Sequence, residues 1–365
     1  MRINFHGQLA EEKEIRAGFI GCGSHSFRNI YPVFQFAPVD LVSVCDLSLD
    51  KARMFVKKFG AKSAYGDYKE MLQKEKLDAV FCVTGYDKDG RPTYPQIAKD
   101  CLEAGCHVWM EKPPAATCKE IEEMQKAALR NKKNVGVGFK KMYFPANEKA
   151  HELMGLKEFG KTNLVLLQYP QVIPEVKEMQ EYLVSRKKIN VVVSFLDHLC
   201  HPVSLMIYLL GMPETLYYDR SSSGSGVVVF KYESGTVVSL SLNSHTSVNM
   251  GIERTTIYSD TGRHIVVDNN IRVFYQSATG KSYGNSENYY SGELTEASKV
   301  WEPEFSLGQL YNKGMFIQGF YGEIKEFAAS ILEKRSLKKA HLGHALQITK
   351  IFEAFLKGPN KVIKI

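Results

Sequence analysis

The sequence lacks the features that would place it in a membrane or in an oxidising compartment. Its first 16 residues, MRINFHGQLAEEKEIR, contain no apolar segment of the kind that a signal peptide needs. The best apolar run, VSLMIYLLG, is far shorter than the ~18–20 residues that span a bilayer. The seven cysteines include no CxxC pair, which favours buried thiols in a reducing compartment over disulfides or a zinc knot. We therefore expect a cytoplasmic protein without a membrane partner.

Concentrated positive charge is missing as well. The formal net charge of +7 comes from 47 Lys+Arg against 40 Asp+Glu, and short clusters such as RNKKN and EKRSLKK are typical of helix faces and ends. We therefore expect no nucleic-acid partner. With 365 residues, 44% of them hydrophobic, the chain is long enough for two domains with a sizeable core.

Strands and helices alternate in the first part of the chain. Apolar segments of strand length occupy residues 15–21, 40–46, 77–84, 107–113 and 134–139. Amphipathic helices separate them, for example LDKARMFVKKF, which ends at Gly60. Alternation of this kind predicts a doubly wound parallel sheet, a Rossmann fold of the α/β class. We assign a dinucleotide-binding domain to residues 1–140.

The pattern changes after about residue 160. Strands joined by turns are predicted in KTNLVLLQYP, GVVVFKYESGTVVSLSLNSH and RTTIYSDTGRHIVVDNNIRVFYQ, which indicates an open, mainly antiparallel sheet. Helices are predicted near 195–210 and in YGEIKEFAASILEKR and HALQITKIFEAFLK, and we expect them to pack on one face of that sheet. We assign an α+β domain for substrate binding and oligomerisation to residues 141–365.

A glycine-rich turn ends the first predicted strand and begins a helix. It consists of Gly21, Cys22, Gly23, Ser24, His25 and Ser26. The first glycine permits a tight turn, the second lets the backbone approach a pyrophosphate, and the helix amino terminus supplies free N–H groups. Serine at the third position costs little, because that glycine serves helix–strand packing. The alternative is an ordinary glycine turn, but its position at the first strand–helix junction favours dinucleotide binding.

An acidic residue follows the second strand at the spacing that ribose recognition needs. Asp46 lies twenty residues beyond Ser26. A carboxylate there accepts hydrogen bonds from the ribose hydroxyls and repels a 2′-phosphate. We therefore predict NAD as the cofactor, with NADP less favoured.

The stretch SFLDHLCHPVSL concentrates polar groups in an apolar segment. Asp197 and His201 are four residues apart and share a face if the segment is helical, whereas Pro202 starts or kinks a helix. Three interpretations are open: a metal site that also uses His198, a satisfied core histidine, and a proton-transfer site. The metal interpretation has no distant ligand set, so we expect no metal. Histidine suits proton transfer because its pKa is ordinarily near ~6.5.

Several of these motifs resemble the Gfo/Idh/MocA oxidoreductase family, named after glucose–fructose oxidoreductase and inositol dehydrogenase. The segments that carry the resemblance are AGCHVWMEKP (104–113), VGFKKMYFPA (137–146) and DHLCHPVS (197–204). The resemblance runs from about residue 15 to the end of the chain. Two positions depart from the family pattern, Leu199 and Ser204, and VTGYDKDGRPTYPQ lacks the family's TPxxxH segment.

The resemblance implies roles for individual residues. Lys112 is similar to the family's catalytic-site lysine, and Asp197 and His201 match its acid–histidine pair. We expect His201 to take a hydroxyl proton, Asp197 to hold its ring, and Lys112 to stabilise the developing alkoxide. The resemblance also implies cofactor contacts, beside those of the glycine turn and Asp46, by Thr84, Tyr86, Glu111 and Lys112.

A substrate cleft is expected after the last Rossmann strand. Its candidate contacts are Lys141, Tyr143, Tyr169 and His198. A surface position explains Lys141 equally well, and core packing explains Tyr143 equally well and Tyr169 slightly better. The resemblance implies an NAD-dependent dehydrogenase acting on a secondary hydroxyl of a sugar, polyol or glycoside, possibly C3 of a glycoside. The alternatives are a glycoside-cleaving enzyme with transient redox and a non-catalytic sugar sensor. Fold analogy implies a homo-oligomer.

Overall fold

The computed structural model describes residues 13–243, 252–277, 298–302 and 313–365, together with the backbone of β1 (Arg2–Ile3) and β2 (Leu9–Ala10), which pair antiparallel. Parts of the N-terminal segment that argued against a signal peptide lie outside these residues. The same holds for the last two residues of the predicted strand that ends in SLNSH.

Six parallel strands form the first large sheet. They are β3 (Ile15–Ile20), β4 (Val39–Cys45), β5 (Ser63–Tyr65), β6 (Ala79–Cys82), β7 (His107–Met110) and β8 (Val135–Val137). Their order in the sheet is β5-β4-β3-β6-β7-β8, so the direction of winding reverses between β3 and β6. A crevice for ligands opens at such a reversal, beyond the carboxyl ends of the strands. The predicted Rossmann sheet is confirmed.

Helices connect these strands on both faces of the sheet. They are α1 (Leu49–Phe59), α2 (Tyr68–Lys74), α3 (Tyr94–Glu103) and α4 (Cys118–Asn131). The connection after β3 is irregular, with a π-helical turn at Ser26–Ile30 followed by a 3₁₀ turn at Tyr31–Gln35. Gly60 ends α1 with a φ of 84°, as its sequence predicted.

The second large sheet has nine strands. They are β9 (Thr162–Tyr169), β10 (Thr215–Arg220), β11 (Gly226–Lys231), β12 (Val237–Leu242), β13 (Arg254–Ser259), β14 (His264–Asp268), β15 (Arg272–Gln276), β16 (Lys299–Trp301) and β17 (Ile363–Lys364). Their order is β16-β15-β14-β13-β9-β12-β11-β10-β17, and only β9 and β12 pair in parallel. The mainly antiparallel sheet is confirmed.

Six further helices complete the described chain. They are α5 (Pro145–Met154), α6 (Val176–Leu183), α7 (Asn190–Leu210), α8 (Lys313–Ile317), α9 (Phe320–Leu332) and α10 (Leu342–Ala354). α10 packs against both α4 and α7 and so connects the two halves of the molecule.

Helix α7 is the central apolar element. By length and composition alone it could cross a membrane, because its 21 residues have a mean hydropathy of 1.4 in their most apolar window. The structure buries 61% of that window among the protein's own side chains, as expected for a core helix. Pro202 lies inside the helix, which continues to Leu210, so proline does not start a new helix here.

Helix α9 covers the parallel sheet. Phe327 packs edge-on against Phe81 of β6, with ring centroids 5.5 Å apart. Phe19 and Trp109 belong to the same buried cluster. The prediction that the C-terminal helices pack with the antiparallel sheet is therefore wrong for α9, because its apolar residues share a buried cluster with the aromatic side chains of the parallel sheet.

Candidate active site

The glycine turn follows β3 at the carboxyl edge of the parallel sheet. Gly21 has a φ of 109°, and a Cβ there would lie 2.0 Å from the carbonyl oxygen of Val83. A Cβ on Gly23 would meet nothing within 4 Å. The first glycine is therefore required by the fold, whereas the second leaves open space where a pyrophosphate can approach the backbone.

Ser26 takes the place of the third glycine of the fingerprint. It is fully buried in the π-helical turn, and its Oγ has no hydrogen-bond partner among the described residues. Ser24 precedes it, and its Oγ accepts a 2.5 Å hydrogen bond from Arg28. A small buried side chain at position 26 agrees with the packing role that the sequence predicted.

Asp46 is fastened to this turn. Its Oδ2 accepts a hydrogen bond from the N–H of Cys22 at 2.8 Å, and its Oδ1 accepts one from the N–H of Ser48 at 2.9 Å. Each carboxylate oxygen has more than one acceptor site, so both can also receive a ribose hydroxyl. The structure thus brings together the turn and the carboxylate that the sequence paired.

His25 connects the glycine turn to Glu111, a buried carboxylate that follows β7. Its Nε2 lies 2.8 Å from Oε1 of Glu111, and its Nδ1 lies 2.9 Å from Nδ2 of Asn29. The other oxygen of Glu111 accepts a hydrogen bond from the N–H of Lys112 at 3.1 Å. Burial alone would raise the pKa of Glu111, but His25, Lys112 and Lys140 outweigh it and hold that pKa below its usual value.

Glu323 and Lys140, which interact with Glu111, were not predicted from the sequence as site residues. Glu323 on α9 is buried, and neither of its carboxyl oxygens has a hydrogen-bond partner among the described residues. Burial and the charge of Glu111 raise the pKa of Glu323 well above its ordinary value, against the effect of Lys140. The Nζ of Lys140 lies over the ring of Phe320, 4.6 Å from its centroid. No local sequence signal marks Glu323, because it reaches the site only through the packing of α9.

Lys112 and Asp197 form the central ion pair of the site. The Nζ of Lys112 donates to Oδ2 of Asp197 at 2.9 Å, and the hydroxyl of Tyr86 donates to Oδ1 at 2.9 Å. Burial would lower the pKa of Lys112, but Asp197 and Glu111 outweigh it and raise that pKa above 10.5. Lys112 is therefore a cation throughout the neutral pH range.

The predicted contact between Asp197 and His201 is wrong. Both residues lie on α7, but the hydrogen bonds of the carboxylate go to Lys112 and Tyr86. An ammonium group attracts the carboxylate more strongly than a neutral imidazole does. His198, on the next position, lies with its Nδ1 3.6 Å from Oδ2 of Asp197, and that Nδ1 also donates to the carbonyl of Ser194 at 2.9 Å.

His201 has no side-chain hydrogen bond to any residue that the structure describes. Its ring centroid lies 6.1 Å from that of Tyr169 and 6.4 Å from that of His198. Burial, together with the charges of Lys112 and Lys141, lowers the pKa of His201 well below 6.5. The imidazole is therefore neutral at pH 7, and its nitrogens are available to a bound molecule.

The remaining predicted substrate contacts divide into two groups. Tyr169 ends β9 beside His201 and is 5% exposed, so its predicted substrate contact stays a prediction. Lys141 is buried and bound to Glu253, which also accepts from Asn270 at 2.9 Å. Burial lowers the pKa of Lys141, against the effect of Glu253. Lys141 is therefore already paired.

Tyr143 is a core residue, so its predicted place in the cleft is wrong. It is 4% exposed, and its hydroxyl donates to the carbonyl of Lys339 at 3.2 Å. The Nζ of Lys339 lies 4.2 Å from the centre of its ring. The 3₁₀ turn at Lys140–Tyr143 places this side chain against Gly322 of α9.

A cavity of about 190 Å³ joins the glycine turn to the ion pair. Its lining residues are His25, Val83, Thr84, Gly85, Tyr86, Tyr94, Glu111, Lys112, Pro113 and Asp197. Thr84 is held in place, since its Oγ1 lies 2.7 Å from that of Thr93 and its carbonyl accepts from Tyr94 at 2.8 Å. The predicted cofactor residues Thr84, Tyr86, Glu111 and Lys112 therefore share one space.

No group of three or more His, Cys, Asp or Glu side chains is arranged to hold a metal ion within the described residues. On α7, Asp197 contacts Lys112 and Tyr86, and His198 contacts Ser194, whereas the side chain of His201 has no hydrogen bond to a described residue.

Comparison with known proteins identifies the family. Residues 15–139 match the Gfo/Idh/MocA model, described as an oxidoreductase family with an NAD-binding Rossmann fold. Residues 15–139 are therefore a domain of the Gfo/Idh/MocA type. Its parallel sheet, glycine turn and Lys112 all fall within the matched residues, so this part of the chain is an NAD-binding Rossmann domain.

Two relatives and one solved structure add to this comparison. An uncharacterized oxidoreductase YrbE of Bacillus subtilis is 20% identical over 264 residues, covering 68% of this chain and 73% of the relative. D-Glucoside 3-dehydrogenase of Escherichia coli is 38% identical over 86 residues, covering 24% of this chain and 23% of the relative. The structure of an oxidoreductase from Agrobacterium radiobacter with NAD⁺, L-tartaric acid and magnesium has a TM-score of 0.75 at 12% identity. That match covers 96% of this chain and 98% of the other, and it shows that the two share the whole two-domain fold.

The two glycines of the family turn should respond differently to substitution. Gly23→Val should weaken NAD binding about tenfold or more, because the side chain fills the open space above the turn. Its melting temperature should change little, since a Cβ at this position meets no protein atom within 4 Å. Gly21→Ala is the contrasting variant and should destabilise the fold, because its Cβ overlaps the carbonyl of Val83. Isothermal titration and thermal unfolding measure the two effects, and unchanged NAD affinity in Gly23→Val would remove this turn from the cofactor site.

Proposed function

We propose that this protein is an NAD-dependent dehydrogenase that oxidises a secondary hydroxyl of a sugar, polyol or glycoside. The observation that carries the proposal is the 2.9 Å pair between Lys112 and Asp197, which borders the cavity at the glycine turn. His201, on the same helix as Asp197, adds a neutral imidazole. A cation and a neutral proton acceptor are the groups that alcohol oxidation needs.

The residues present fit NAD. The open space at Gly23 suits the pyrophosphate, and Asp46 can accept hydrogen bonds from a ribose. Thr84, Tyr86 and Glu111 line the cavity beyond the turn, where a nicotinamide would lie. When bound, NAD supplies the acceptor for the hydride that leaves the alcohol carbon.

The side chains of the site have complementary tasks in this reaction. The Lys112 ammonium donates a hydrogen bond to the alcohol oxygen and favours the negative charge that develops there. His201 accepts the hydroxyl proton on a ring nitrogen that has no partner among the described residues. Asp197, with Tyr86 on its other oxygen, keeps the ammonium of Lys112 oriented toward the cavity. Asp197 therefore positions Lys112, and the sequence-based role of holding His201 is replaced.

A glycoside is the substrate class that we favour. A second cavity of about 290 Å³ shares Tyr86 and Asp197 with the first, and His198 and Ser194 also line it. A ring hydroxyl at Lys112 would place the remainder of a glycoside in this second cavity, within reach of His198. The relative from Escherichia coli is named for oxidation at C3 of a glucoside, which supports that carbon here.

The test is an activity panel with the NAD-loaded protein. Polyols, free sugars and glycosides are supplied in turn, and formation of reduced nicotinamide is followed by absorbance, with Lys112→Met as the inactive control. We expect reduction with at least one glycoside. Glycoside cleavage without net NADH would assign the protein to the transient-redox alternative. Sugar binding without either reaction would assign it to the sensor alternative.

Preference for NAD over NADP should depend on Asp46. Its carboxylate lies where a 2′-phosphate would be repelled, and both of its oxygens are fixed by backbone N–H groups. Asp46→Ala combined with Leu47→Arg should shift the ratio of NAD to NADP affinity toward NADP by about tenfold or more. The wild-type protein binding NADP more tightly than NAD would contradict this role. Leu47→Arg alone is the matched control.

Assembly and location follow from the same proposal. The outer face of the nine-stranded sheet exposes Leu166, Tyr217 and Val227, a surface suited to a second copy of the chain. Analytical ultracentrifugation measures the predicted homo-oligomer directly.

The described cysteines are all free, which suits a cytoplasmic location. We propose that the boundary between the dinucleotide-binding domain and the α+β domain lies at residue 140.

A further inference from the structure

A third cavity lies at the edge of the parallel sheet opposite the candidate active site. Its volume is about 830 Å³. His107 and Val135 in its wall are the first residues of β7 and β8, whereas Lys112 follows the other end of β7. None of its lining residues lines the cavities around Asp197. The basic cavity, as we call it, is therefore separate from the crevice where Rossmann domains bind dinucleotides.

Positive charge lines the basic cavity. Lys132, Lys133, Lys334 and Arg335 contribute to its wall, and no carboxylate does. Arg335 forms ion pairs with Glu326 and Glu333, which do not line the cavity. The three lysines form no ion pair with any residue that the structure describes. Three uncompensated cations around one concave space create a positive potential that favours an anionic ligand.

The shape of the basic cavity is fixed by the fold. The amide nitrogen of Asn134 donates to Oγ of Ser330 at 3.0 Å and to the carbonyl of Arg335 at 2.8 Å. These bonds join the end of α4 to the segment after α9. The buried side chains of Val135, Leu337 and Leu342 form an apolar floor. The space therefore combines a preformed apolar floor with a cationic wall.

Helix capping explains only part of this arrangement. Lys132 and Lys133 follow α4, and Lys334 and Arg335 follow α9, so all four cations complement the negative ends of helix dipoles. Capping does not require the cations of two separate helices to converge on one cavity. Nor does it require the apolar floor.

We infer that the basic cavity binds a small phosphorylated molecule that carries a flat ring, of the class of nucleoside diphosphates. Its volume lies in the ~300–1,000 Å³ range of small-molecule sites. The phosphates contact Lys133, Lys334 and Lys132, and the ring packs on Leu337 and Leu342. The ligand acts at a site remote from the reaction centre, and α10, which begins at the cavity, also packs against α7.

The test uses the full chain loaded with one equivalent of NAD, titrated calorimetrically with ADP, inorganic pyrophosphate and adenosine. ADP should bind at one additional site, more tightly than either part of it alone. Lys133→Glu/Lys334→Glu should weaken ADP binding about tenfold or more, because two charge-assisted contacts become repulsive. Lys119→Glu/Lys126→Glu is the matched control, with the same charge change on exposed positions of α4 outside the cavity, and should bind ADP as the wild type does.

Several outcomes would overturn the inference. Absence of heat with ADP at millimolar concentration excludes the site, and so does displacement of NAD one for one. Equal weakening in the control double variant would reduce the effect to the net charge of the protein. Pyrophosphate binding as tightly as ADP would refute the part played by the apolar floor. Loss of NAD binding in the cavity variant, with its melting temperature unchanged, would place the ADP effect in the Rossmann crevice.

Discussion

Lys112→Ala is expected to lower the turnover number at least about 10²-fold, the scale of losing one electrostatic stabiliser of a developing charge. The ammonium lies 2.9 Å from Asp197 and lines the cavity between the glycine turn and α7. Asp197 and Glu111 raise its pKa against the effect of burial, so it acts as a cation and not as a base. Steady-state kinetics with the substrate found in the activity panel measures the loss.

Two controls separate this effect from damage to the fold. NAD affinity and the melting temperature of Lys112→Ala should stay close to the wild-type values, since Tyr86 still donates to Asp197. Lys112→Arg keeps the positive charge and should recover part of the rate. Turnover near the wild-type value in Lys112→Ala would remove this residue from the mechanism.

His201→Asn should cost about 10²–10⁴-fold in turnover, the usual range for loss of a general base. His201 is the neutral imidazole of the site, and its ring nitrogens are not engaged by described residues. Asparagine keeps a polar side chain of similar size but cannot accept a proton near neutral pH. His198→Asn is the matched control on the same helix. It should raise KM more than it lowers kcat, because His198 is proposed to contact substrate.

The pH profile gives an independent measurement of the same role. Oxidation requires the deprotonated imidazole, so the rate rises with pH as His201 loses its proton. Because burial, Lys112 and Lys141 lower the pKa of His201 well below 6.5, this rising limb lies on the acid side of pH 6.5. The apparent pKa belongs to the interacting cluster and not to one residue. An unchanged acid limb in His201→Asn would assign the base role elsewhere, with His198 and Lys112 the next residues to replace.

The Rossmann half could be predicted from local sequence alone. Parallel strands buried on both faces show as continuous apolar runs, and the glycine turn marks where they bind a dinucleotide. Gly21, Gly23 and Asp46 lie together as predicted because their spacing is set by one strand–helix–strand unit. Lys112 reaches the site by the same logic, at the carboxyl end of a neighbouring strand.

The errors concern contacts between distant segments. Sequence spacing put Asp197 and His201 on one helix face, but it could not show that Lys112 and Tyr86 approach the same carboxylate from the parallel sheet. Tyr143 follows the last parallel strand, and only the packing of α9 shows that it is buried. Glu323 was missed for the same reason, because its neighbours Glu111 and Lys140 lie far from it in the sequence.

The packing of α9 on the parallel sheet affects how the protein folds during its synthesis on the ribosome. All six strands of that sheet are synthesised before residue 140, but Phe327, which packs on Phe81, lies on a helix that begins at Phe320. Synthesis proceeds at about 5–20 residues per second, so Phe81 lacks its contact with α9 for on the order of ten seconds or more. During that interval the aromatic face of the sheet is a surface for chaperones, and a gene shortened near codon 140 would make the exposure permanent.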